Sequence, residues 1–217
     1  MPSLHLNLWK QQLGQVPDSV WGQTDLESLV LADNGLTEIS EKIGRLTKLH
    51  MLDLGHNQLQ RVPESIGQIE GLSDFLYLHD NRLTSLPSSL ARLKKLRYIN
   101  IGENAFSIFP DPVCELTSLI ELRASDNTFT SLPESIGHLS ALRELHLRNN
   151  KLSSLPESIG DLHNLRQIDL RGNPITSLPE SITHLPRLDK LDLRWVSTLT
   201  EPSWFASLKA RGCAIYR

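Results

Sequence analysis

Several side chains that could bind another molecule recur at a constant interval in this sequence. Arg148, Arg171 and Arg194 follow one another in steps of 23 residues, and Arg123 lies two residues before the preceding position of that series. A guanidinium group donates several hydrogen bonds in one plane, which suits carboxylate and phosphate groups. If the structure places these arginines side by side, they form a positive stripe that could hold an anionic group.

A second set combines aromatic, imidazole and thioether side chains. Phe75, Tyr77 and His79 alternate along one segment, while Met51 lies 24 residues before Phe75 and Tyr98 lies 23 residues after it. Grouped aromatic and methionine side chains are typical of the residues that dominate binding energy in interfaces. The alternative is that these large side chains only cover one another on a sheet.

Both sets follow a repeat that runs through the chain. Seven asparagines mark it, in steps of 23 residues with one step of 24: Asn34, Asn57, Asn81, Asn104, Asn127, Asn150 and Asn173. Hydrophobic residues lie five and three positions before each asparagine and two and five positions after it. Leucine supplies 41 of the 217 residues, because each copy of the repeat uses it at the same packing positions.

The pattern L-x-x-L-x-L-x-x-N-x-L-x-x-L-P-x-x-I-G-x-L-x-x-L resembles the leucine-rich-repeat family in its 23-residue LPxxIG form. It is similar to the repeats of bacterial effector domains and of Ras-group and scribble/erbin-like proteins. The resemblance implies an α/β solenoid, a curved right-handed superhelix with a parallel β-sheet on its concave face and short helical or 3₁₀ turns on its convex face. We expect a single domain over residues 1–217 with about nine repeats, including an N-terminal repeat at 1–25 and a C-terminal capping segment at 196–217.

The repeat also predicts the local structure of each unit. The L-x-L segments predict nine strands, at 5–8, 28–31, 51–54, 75–78, 98–101, 121–124, 144–147, 167–170 and 190–193. A tenth, edge strand is expected near the end of the chain, with Ala214 and Tyr216 pointing inward. Proline is expected at the first position of each helical turn, followed by an acidic residue that favours the helix N-terminus. Asparagine side chains are expected to satisfy backbone groups in the turn after each strand.

Residues two, four and six positions before each asparagine point out of this sheet, so both candidate sets lie on its concave face. Met51, Phe75, Tyr77, His79 and Tyr98 then form one cluster on three neighbouring strands, beside an extra residue near Ser73 and Asp74 that could redirect Phe75. Arg148, Arg171 and Arg194 form a ladder with Arg123 beside it. Four acidic residues lie on the same face, and pairing within the chain is as plausible as binding of an external anion: Glu121, Glu144, Asp169 and Asp192.

Catalytic chemistry finds little support in the sequence. Motifs for nucleotide loops, paired-cysteine metal sites and serine nucleophiles are absent. Cys114 occupies a position held by glycine or alanine in other repeats, which predicts a small buried side chain. His138, Asp161 and His184 share a convex column, but successive repeats separate them too far for one metal ion. We therefore predict no enzyme activity, no cofactor and no metal site.

The sequence predicts a non-catalytic protein-interaction module that binds a protein partner through its concave face, as scaffold, adaptor or effector recognition domain. Two alternatives stay open: the substrate-recognition part of an enzyme with its catalytic domain elsewhere, and a binder of an anionic or glycan ligand. A net charge of −3 disfavours nucleic acid, and no apolar run is long enough for membrane insertion. We expect a monomer. Two widely spaced cysteines favour the cytoplasm, or a host cell if the chain is a bacterial effector.

Overall fold

The computed structural model describes residues 4–217 and contains a parallel β-sheet of ten strands. The strands cross the sheet in chain order, and each pairs with the next. They are β1 (His5–Asn7), β2 (Ser28–Val30), β3 (Met51–Asp53), β4 (Phe75–Tyr77), β5 (Tyr98–Asn100), β6 (Glu121–Arg123), β7 (Glu144–His146), β8 (Gln167–Asp169), β9 (Lys190–Asp192) and β10 (Ala214–Tyr216). This open sheet of consecutive parallel strands confirms the predicted α/β solenoid.

Short helical segments return the chain from one strand to the next. Seven are 3₁₀ helices: Asp18–Gly22, Glu41–Arg45, Glu64–Gln68, Ser88–Arg92, Glu134–His138, Glu157–Asp161 and Glu180–His184. Two are α-helices, α1 (Asp111–Cys114) and α2 (Phe205–Ala210). Within residues 4–217, no helix has the length and apolar character needed to cross a membrane.

The prolines lie one position earlier than expected. Pro63, for example, directly precedes its 3₁₀ helix with φ −67° and ψ 150°, an extended conformation. Pro133 and Pro156 adopt the same geometry. Proline therefore sets the extended approach to the helical turn instead of forming the first helical residue, because its fixed φ is equally compatible with polyproline II geometry.

Alternation along the strands fills the core. The middle residue of each strand from β2 to β9 is fully buried, and so is the hydrophobic residue two positions later in most repeats. Phe106 and Phe129 take two positions normally held by leucine and stack with ring centroids 6.1 Å apart. Burial of each such side chain contributes roughly 1.5–3 kcal/mol to stability. Because equivalent positions are buried in successive repeats, each repeat adds a similar contribution.

The last strand faces the other way from the prediction. Ile215 is the register partner of Leu191 and points towards the core, while Ala214 and Tyr216 are exposed. Cys213, one residue before the strand, is buried. The predicted inward placement of Ala214 and Tyr216 is wrong, because pairing with β9 buries Cys213 and Ile215 instead.

A ladder of asparagine side chains joins successive repeats, as predicted. Asn57 is buried, and its Oδ1 accepts hydrogen bonds from the backbone N–H groups of Asn34 and Leu36, at 3.1 and 3.0 Å. Its Nδ2 donates to the carbonyl oxygens of Leu31, Leu54 and Gly55, at 2.9–3.1 Å. One side chain therefore satisfies backbone groups of its own repeat and of the preceding one.

The residue before each ladder asparagine has a left-handed backbone. Its φ lies between 50° and 68° in all seven of these repeats, yet only Gly172 is a glycine. A Cβ on Gly172 would also lie 2.3 Å from Oδ1 of Asn149. The tight turn therefore requires a positive φ even where the residue has a side chain that disfavours it, which is the case in six of these seven repeats.

The acidic residues that open the 3₁₀ helices act on the neighbouring repeat. Carboxylates of Glu41 and Glu134 accept hydrogen bonds from the backbone N–H groups of Ser65 and Ser158, at 2.9 and 3.1 Å. Hydrogen bonds from these two serines lower the pKa of both glutamates. These carboxylates therefore satisfy N–H groups at the start of the next helix, which is a cross-repeat version of the predicted N-terminal charge.

The single 24-residue step leaves the sheet register intact. Phe75 pairs with Met51 on one side and Tyr98 on the other, at equivalent strand positions. The extra residue lies before β4, where the N–H of Arg97 bonds to the carbonyl of Ser73 instead of the carbonyl of Asp74. Phe75 thus keeps its place in the outward column of the sheet.

Candidate functional site

An aromatic cluster occupies the concave face of β3, β4 and β5. Phe75 stacks on Tyr77 with ring centroids 5.9 Å apart, and Tyr98 lies 5.5 Å from Phe75 and 5.1 Å from Tyr77. Met51 is the strand partner of Phe75, and His79 meets Tyr77 edge-on at 6.0 Å. The structure thus brings together all five residues of the predicted cluster.

The cluster is accessible to solvent. Phe75 is 43% exposed, whereas the two tyrosines are half-buried. Burial raises the pKa of Tyr77, and raises that of Tyr98 to about 12. Both phenols therefore keep their protons at neutral pH and offer a hydrogen-bond donor beside an apolar ring, the combination that favours tyrosine at interfaces.

A groove of about 390 Å³ extends the cluster towards the edge where the strands begin. Phe75, Tyr98 and Ile120 supply its apolar wall, and charged residues supply the rest: Asp74, Arg97 and Glu121. Position 120 is held by charged or imidazole residues in neighbouring repeats, such as Arg97 and Arg143. The isoleucine therefore adds apolar surface next to the aromatic rings.

His79 connects the cluster to a second histidine. Its Nε2 lies 3.2 Å from Nε2 of His56, and Nδ1 of His56 lies 2.7 Å from a carboxylate oxygen of Asp80. Nδ1 of His79 is buried without a hydrogen-bond partner. Burial, with the nearby His56, lowers the pKa of His79, so its imidazole is neutral at physiological pH.

The arginine ladder is paired within the chain. Arg171 binds Asp169 through Nε and Nη2 at 2.9 and 2.6 Å, and Arg194 binds Asp192 in the same way at 2.9 and 2.8 Å. Both carboxylates are buried. Such two-bond pairs fix the orientation of the guanidinium groups, so each arginine presents one plane to solvent instead of a mobile charge.

The other two arginines also have carboxylate partners. Nη2 of Arg148 lies 3.0 Å from Asp126, and Nε of Arg123 lies 2.6 Å from Glu121. The sequence identified Glu121, Asp169 and Asp192 as possible partners on the same face. It did not identify Asp126, which lies in the turn after β6. The structure therefore favours the self-paired interpretation of the ladder over a free positive stripe.

A scan against known protein families matches the leucine-rich repeat region over residues 4–125 and 133–210. The chain belongs to the leucine-rich-repeat family. The matched residues contain the strands β1 to β9 and six of the seven ladder asparagines. Asn127 and the strand β10 lie outside them. No curated protein matches the sequence.

Solved structures of other leucine-rich-repeat proteins resemble the chain. The leucine-rich repeat domain of the type III effector XopL is 28% identical with a TM-score of 0.77, over 96% of this chain and 87% of that one. A Leptospira interrogans leucine-rich-repeat protein is 30% identical with a TM-score of 0.53, over 93% of this chain. The chain spans 63% of the length of that protein.

A plant receptor gives a third comparison. The leucine-rich-repeat ectodomain of the Arabidopsis thaliana receptor kinase GASSHO1/SCHENGEN3 is 29% identical with a TM-score of 0.63, over 82% of this chain and 25% of that one. It was solved in complex with CASPARIAN STRIP INTEGRITY FACTOR 2. Leucine-rich-repeat domains are generally protein-interaction modules, and the variable strand residues of this member are those described above.

Two features of this leucine-rich-repeat face were not predicted. Trp195, in a left-handed turn, is 71% exposed and lies 5.9 and 6.0 Å from the guanidinium groups of Arg171 and Arg194. Glu121, Glu144 and His146 bring possible metal-ligand atoms within 4.8 Å of one another. Trp195 lies in the turn after β9, where Val196 holds the position of the ladder asparagine, and His146 is the last residue of β7. The repeat spacing places both residues on or beside the concave face, and this is the signal that could have found them.

Cys114 is placed as the repeat predicts. It is the last residue of α1, its side chain is fully buried, and burial raises the pKa of its thiol to about 11. His138, Asp161 and His184 are exposed on the convex side. The environment of Cys114 therefore lacks the positive charge and access that make a cysteine nucleophilic.

We expect both cysteines of the native protein to react slowly with a thiol reagent such as dithionitrobenzoate. Cys213 is also buried, with a pKa raised by burial. At neutral pH the thiolate fraction of Cys114 is lower by roughly two orders of magnitude than that of a free cysteine. The absorbance change should be negligible until guanidinium chloride unfolds the chain and both thiols react. Rapid reaction of one thiol in the native protein would reopen a nucleophilic role.

Proposed function

We propose that the chain is a non-catalytic protein-interaction module that binds one protein partner through its concave face. The observation that carries the proposal is the cluster of Met51, Phe75, Tyr77, His79 and Tyr98. Its rings contact one another on the outer side of the sheet, so they add little to the core beneath. Large apolar side chains that already pack against one another have less rotational freedom to lose when a partner covers them.

The arginines serve orientation more than affinity in this proposal. Arg123, Arg148, Arg171 and Arg194 extend the surface on the C-terminal side of the cluster, but their charges are balanced by carboxylates of the same chain. Their remaining N–H groups can still bond a partner's carbonyl or carboxylate oxygen in one preferred direction. This pairing speaks against the alternative of a dedicated binder for an anionic ligand.

The comparisons include two kinds of protein, an effector and a receptor, and so support a role in which the chain recognises another molecule. The repeats resemble those of the effector XopL, and the plant receptor was solved with a bound factor. We propose the 23-residue LPxxIG subtype and one unit over residues 1–217 that acts as a monomer, as scaffold, adaptor or effector recognition domain. Recognition of a substrate for a catalytic domain outside these residues is the second candidate, because the chain spans only 63% of the Leptospira protein.

Two buried, unpaired cysteines support a reducing compartment for this function. The cytoplasm is such a compartment, and so is the interior of a host cell if the chain is part of an effector. Formation of a disulfide between Cys114 and Cys213 would require large movements of the core, because they lie at different repeats.

The double substitution Tyr77→Ala and Tyr98→Ala tests the proposed surface. We expect the affinity for the physiological partner, identified by crosslinking and measured with purified proteins by calorimetry, to fall at least thirtyfold, or about 2 kcal/mol. Loss of two central rings removes both apolar contact and phenol donors from the interface.

Tyr216→Ala is the matched control, since Tyr216 is an exposed tyrosine on the same sheet but at its edge. The control should bind like the wild type, and circular dichroism should show both variants folded. If the double variant binds its partner within twofold of the wild type, the aromatic cluster is not the binding centre.

A further inference from the structure

We propose that His56 and His79 form a binding site for a divalent transition-metal ion of the Zn²⁺ class, beside the aromatic cluster. The two imidazoles come from adjacent repeats and meet edge-on, with Nε2 atoms 3.2 Å apart and ring planes at 78°. The site shares His79 with the aromatic cluster of the proposed function, but metal binding is measured on the chain alone, so failure of one proposal does not imply failure of the other. A metal site here would differ from the absence of metal that the sequence predicted.

The distance between the nitrogens fits a shared ion. Zinc binds imidazole nitrogen at about 2.0–2.1 Å, so two such ligands at a tetrahedral angle are separated by roughly 3.3 Å. The observed 3.2 Å lies close to that value. The same distance allows a direct hydrogen bond between neutral imidazoles in the empty site, and an ion would replace that single bond with two coordination bonds.

Asp80 fixes the ligand form of His56. Its carboxylate oxygen lies 2.7 Å from Nδ1 of His56. A carboxylate at this place favours the tautomer with the proton on Nδ1, which leaves the lone pair on Nε2 directed at His79. Metal-binding histidines commonly have such a carboxylate partner, which orients the ring and raises its basicity.

The second ligand, His79, is half-buried and directs Nε2 at Nε2 of His56. When Nε2 binds an ion, the ring proton of the neutral imidazole resides on Nδ1 instead. Gly55 lies beneath the ring, and a Cβ at this position would be 2.5 Å from Cε1 of His79. The glycine therefore leaves the space in which the imidazole reaches across to the neighbouring repeat.

The surroundings offer room and negative charge for a cation. A pocket of about 470 Å³ adjoins His56 and is also lined by Asp33 and Asp80. Lys10 is the nearby positive group, 3.7 Å from Asp33 on the side away from His79's strand. His56, but not His79, lines this pocket. Water molecules that reach the pair from the solvent can complete the coordination.

The group formed by Glu121, Glu144 and His146 is a less suitable cation site. Nε2 of His146 lies 3.2 Å from Glu144 and 3.6 Å from Glu121. However, the guanidinium of Arg123 already binds Glu121 at 2.6 Å, and its positive charge opposes a cation at the same carboxylate. This partly buried group is therefore useful as the control for binding by a histidine with neighbouring carboxylates.

Calorimetric titration of the chelator-treated full chain with Zn²⁺ tests the site. We expect His56→Ala and His79→Ala each to weaken the tightest binding event at least tenfold, and Asp80→Asn to weaken it about tenfold. His146→Ala should leave that event unchanged. His56 is exposed and His79 is half-buried, and neither belongs to the hydrophobic core. The variants should therefore fold, which far-ultraviolet circular dichroism checks.

A spectroscopic signature distinguishes direct ligation from an indirect effect. Cu²⁺ bound to the wild type should give an electron paramagnetic resonance spectrum with coupling to two imidazole nitrogens, and to one in either histidine variant. The proposal is overturned if wild type and the double variant His56→Ala with His79→Ala bind Zn²⁺ with the same affinity, or if only His146→Ala removes the tight event. In that case the two rings form a hydrogen-bonded pair only.

Discussion

Substitution of Asn57 by alanine is expected to lower the free energy of unfolding by about 4 kcal/mol. The side chain makes five hydrogen bonds to buried backbone groups of two repeats. Alanine would leave the N–H groups of Asn34 and Leu36 without acceptors in a turn that water reaches poorly, and each such group costs roughly 1–3 kcal/mol. Urea unfolding followed by circular dichroism would measure the loss, and the melting temperature should fall by roughly 10 °C.

Asn164→Ala is the matched control. Asn164 also bonds across repeats, to the carbonyl of Ser140 and from Arg187, but these bonds are exposed. Its loss should change stability by no more than about 0.5 kcal/mol. Equal effects of the two substitutions would contradict a special role for the buried ladder.

Asp192→Ala is expected to destabilise the protein by about 3 kcal/mol. The carboxylate of Asp192 has no exposed surface, accepts two hydrogen bonds from the guanidinium of Arg194, and lies 3.6–3.7 Å from Lys190 and Arg171. Its removal would leave three cationic groups close together at the concave face. Thermal and urea unfolding at pH 7 would measure the effect.

The destabilisation by Asp192→Ala should depend on pH in a defined direction. Burial opposes ionisation of Asp192, but hydrogen bonds from Arg194 and the charges of Arg194 and Arg171 more than compensate and hold its pKa below the ordinary value. A group with a lowered folded-state pKa stabilises the protein above its unfolded-state pKa and loses this contribution as pH falls through the folded-state value. The difference between variant and wild type should therefore shrink below about pH 4.

Asp189→Ala provides the control for charge alone. Asp189 directly precedes β9, and its exposed carboxylate lies 3.5 Å from the guanidinium of Arg166. Surface pairs of this kind contribute little, so the expected change is below about 0.5 kcal/mol at every pH. A loss for Asp192→Ala that is equally small would show that the arginine ladder does not need its buried partner.

Most of the framework could be predicted from the sequence because one rule applies to every repeat. A step of 23 residues with alternating leucines determines the strands, their register and the outward columns, and Asn57 and its equivalents determine the turns. The placement of Met51, Phe75 and Tyr98 side by side followed directly from that register. The prolines are an exception within this framework: they lie one position earlier than expected in successive repeats, because their fixed φ fits an extended backbone as well as a helical one.

Prediction failed where the answer depended on side-chain conformation or on an element without a repeat partner. Arg171 and Arg194 lie two residues beyond β8 and β9, and each binds the last residue of its strand, Asp169 or Asp192. Several acidic residues are near each arginine, and the spacing in the sequence does not decide which of them it binds. Ile215 and Tyr216 alternate in β10, and either could face inward until pairing with β9 sets the face. His56 lies in the turn after β3 and His79 lies two residues beyond the end of β4. The outward positions of the strands therefore do not by themselves place these two rings in contact.

Because the strands pair in chain order, the length of the sheet depends directly on the number of repeats. Each strand borders only the units before and after it, so insertion or deletion of one whole unit would lengthen or shorten the sheet by one step of about 4.8 Å without rewiring the rest. The separation between the aromatic cluster and the arginine ladder is thus measured in whole steps. A change in the number of repeats would change the length of the binding surface, while the contacts inside each repeat would remain the same.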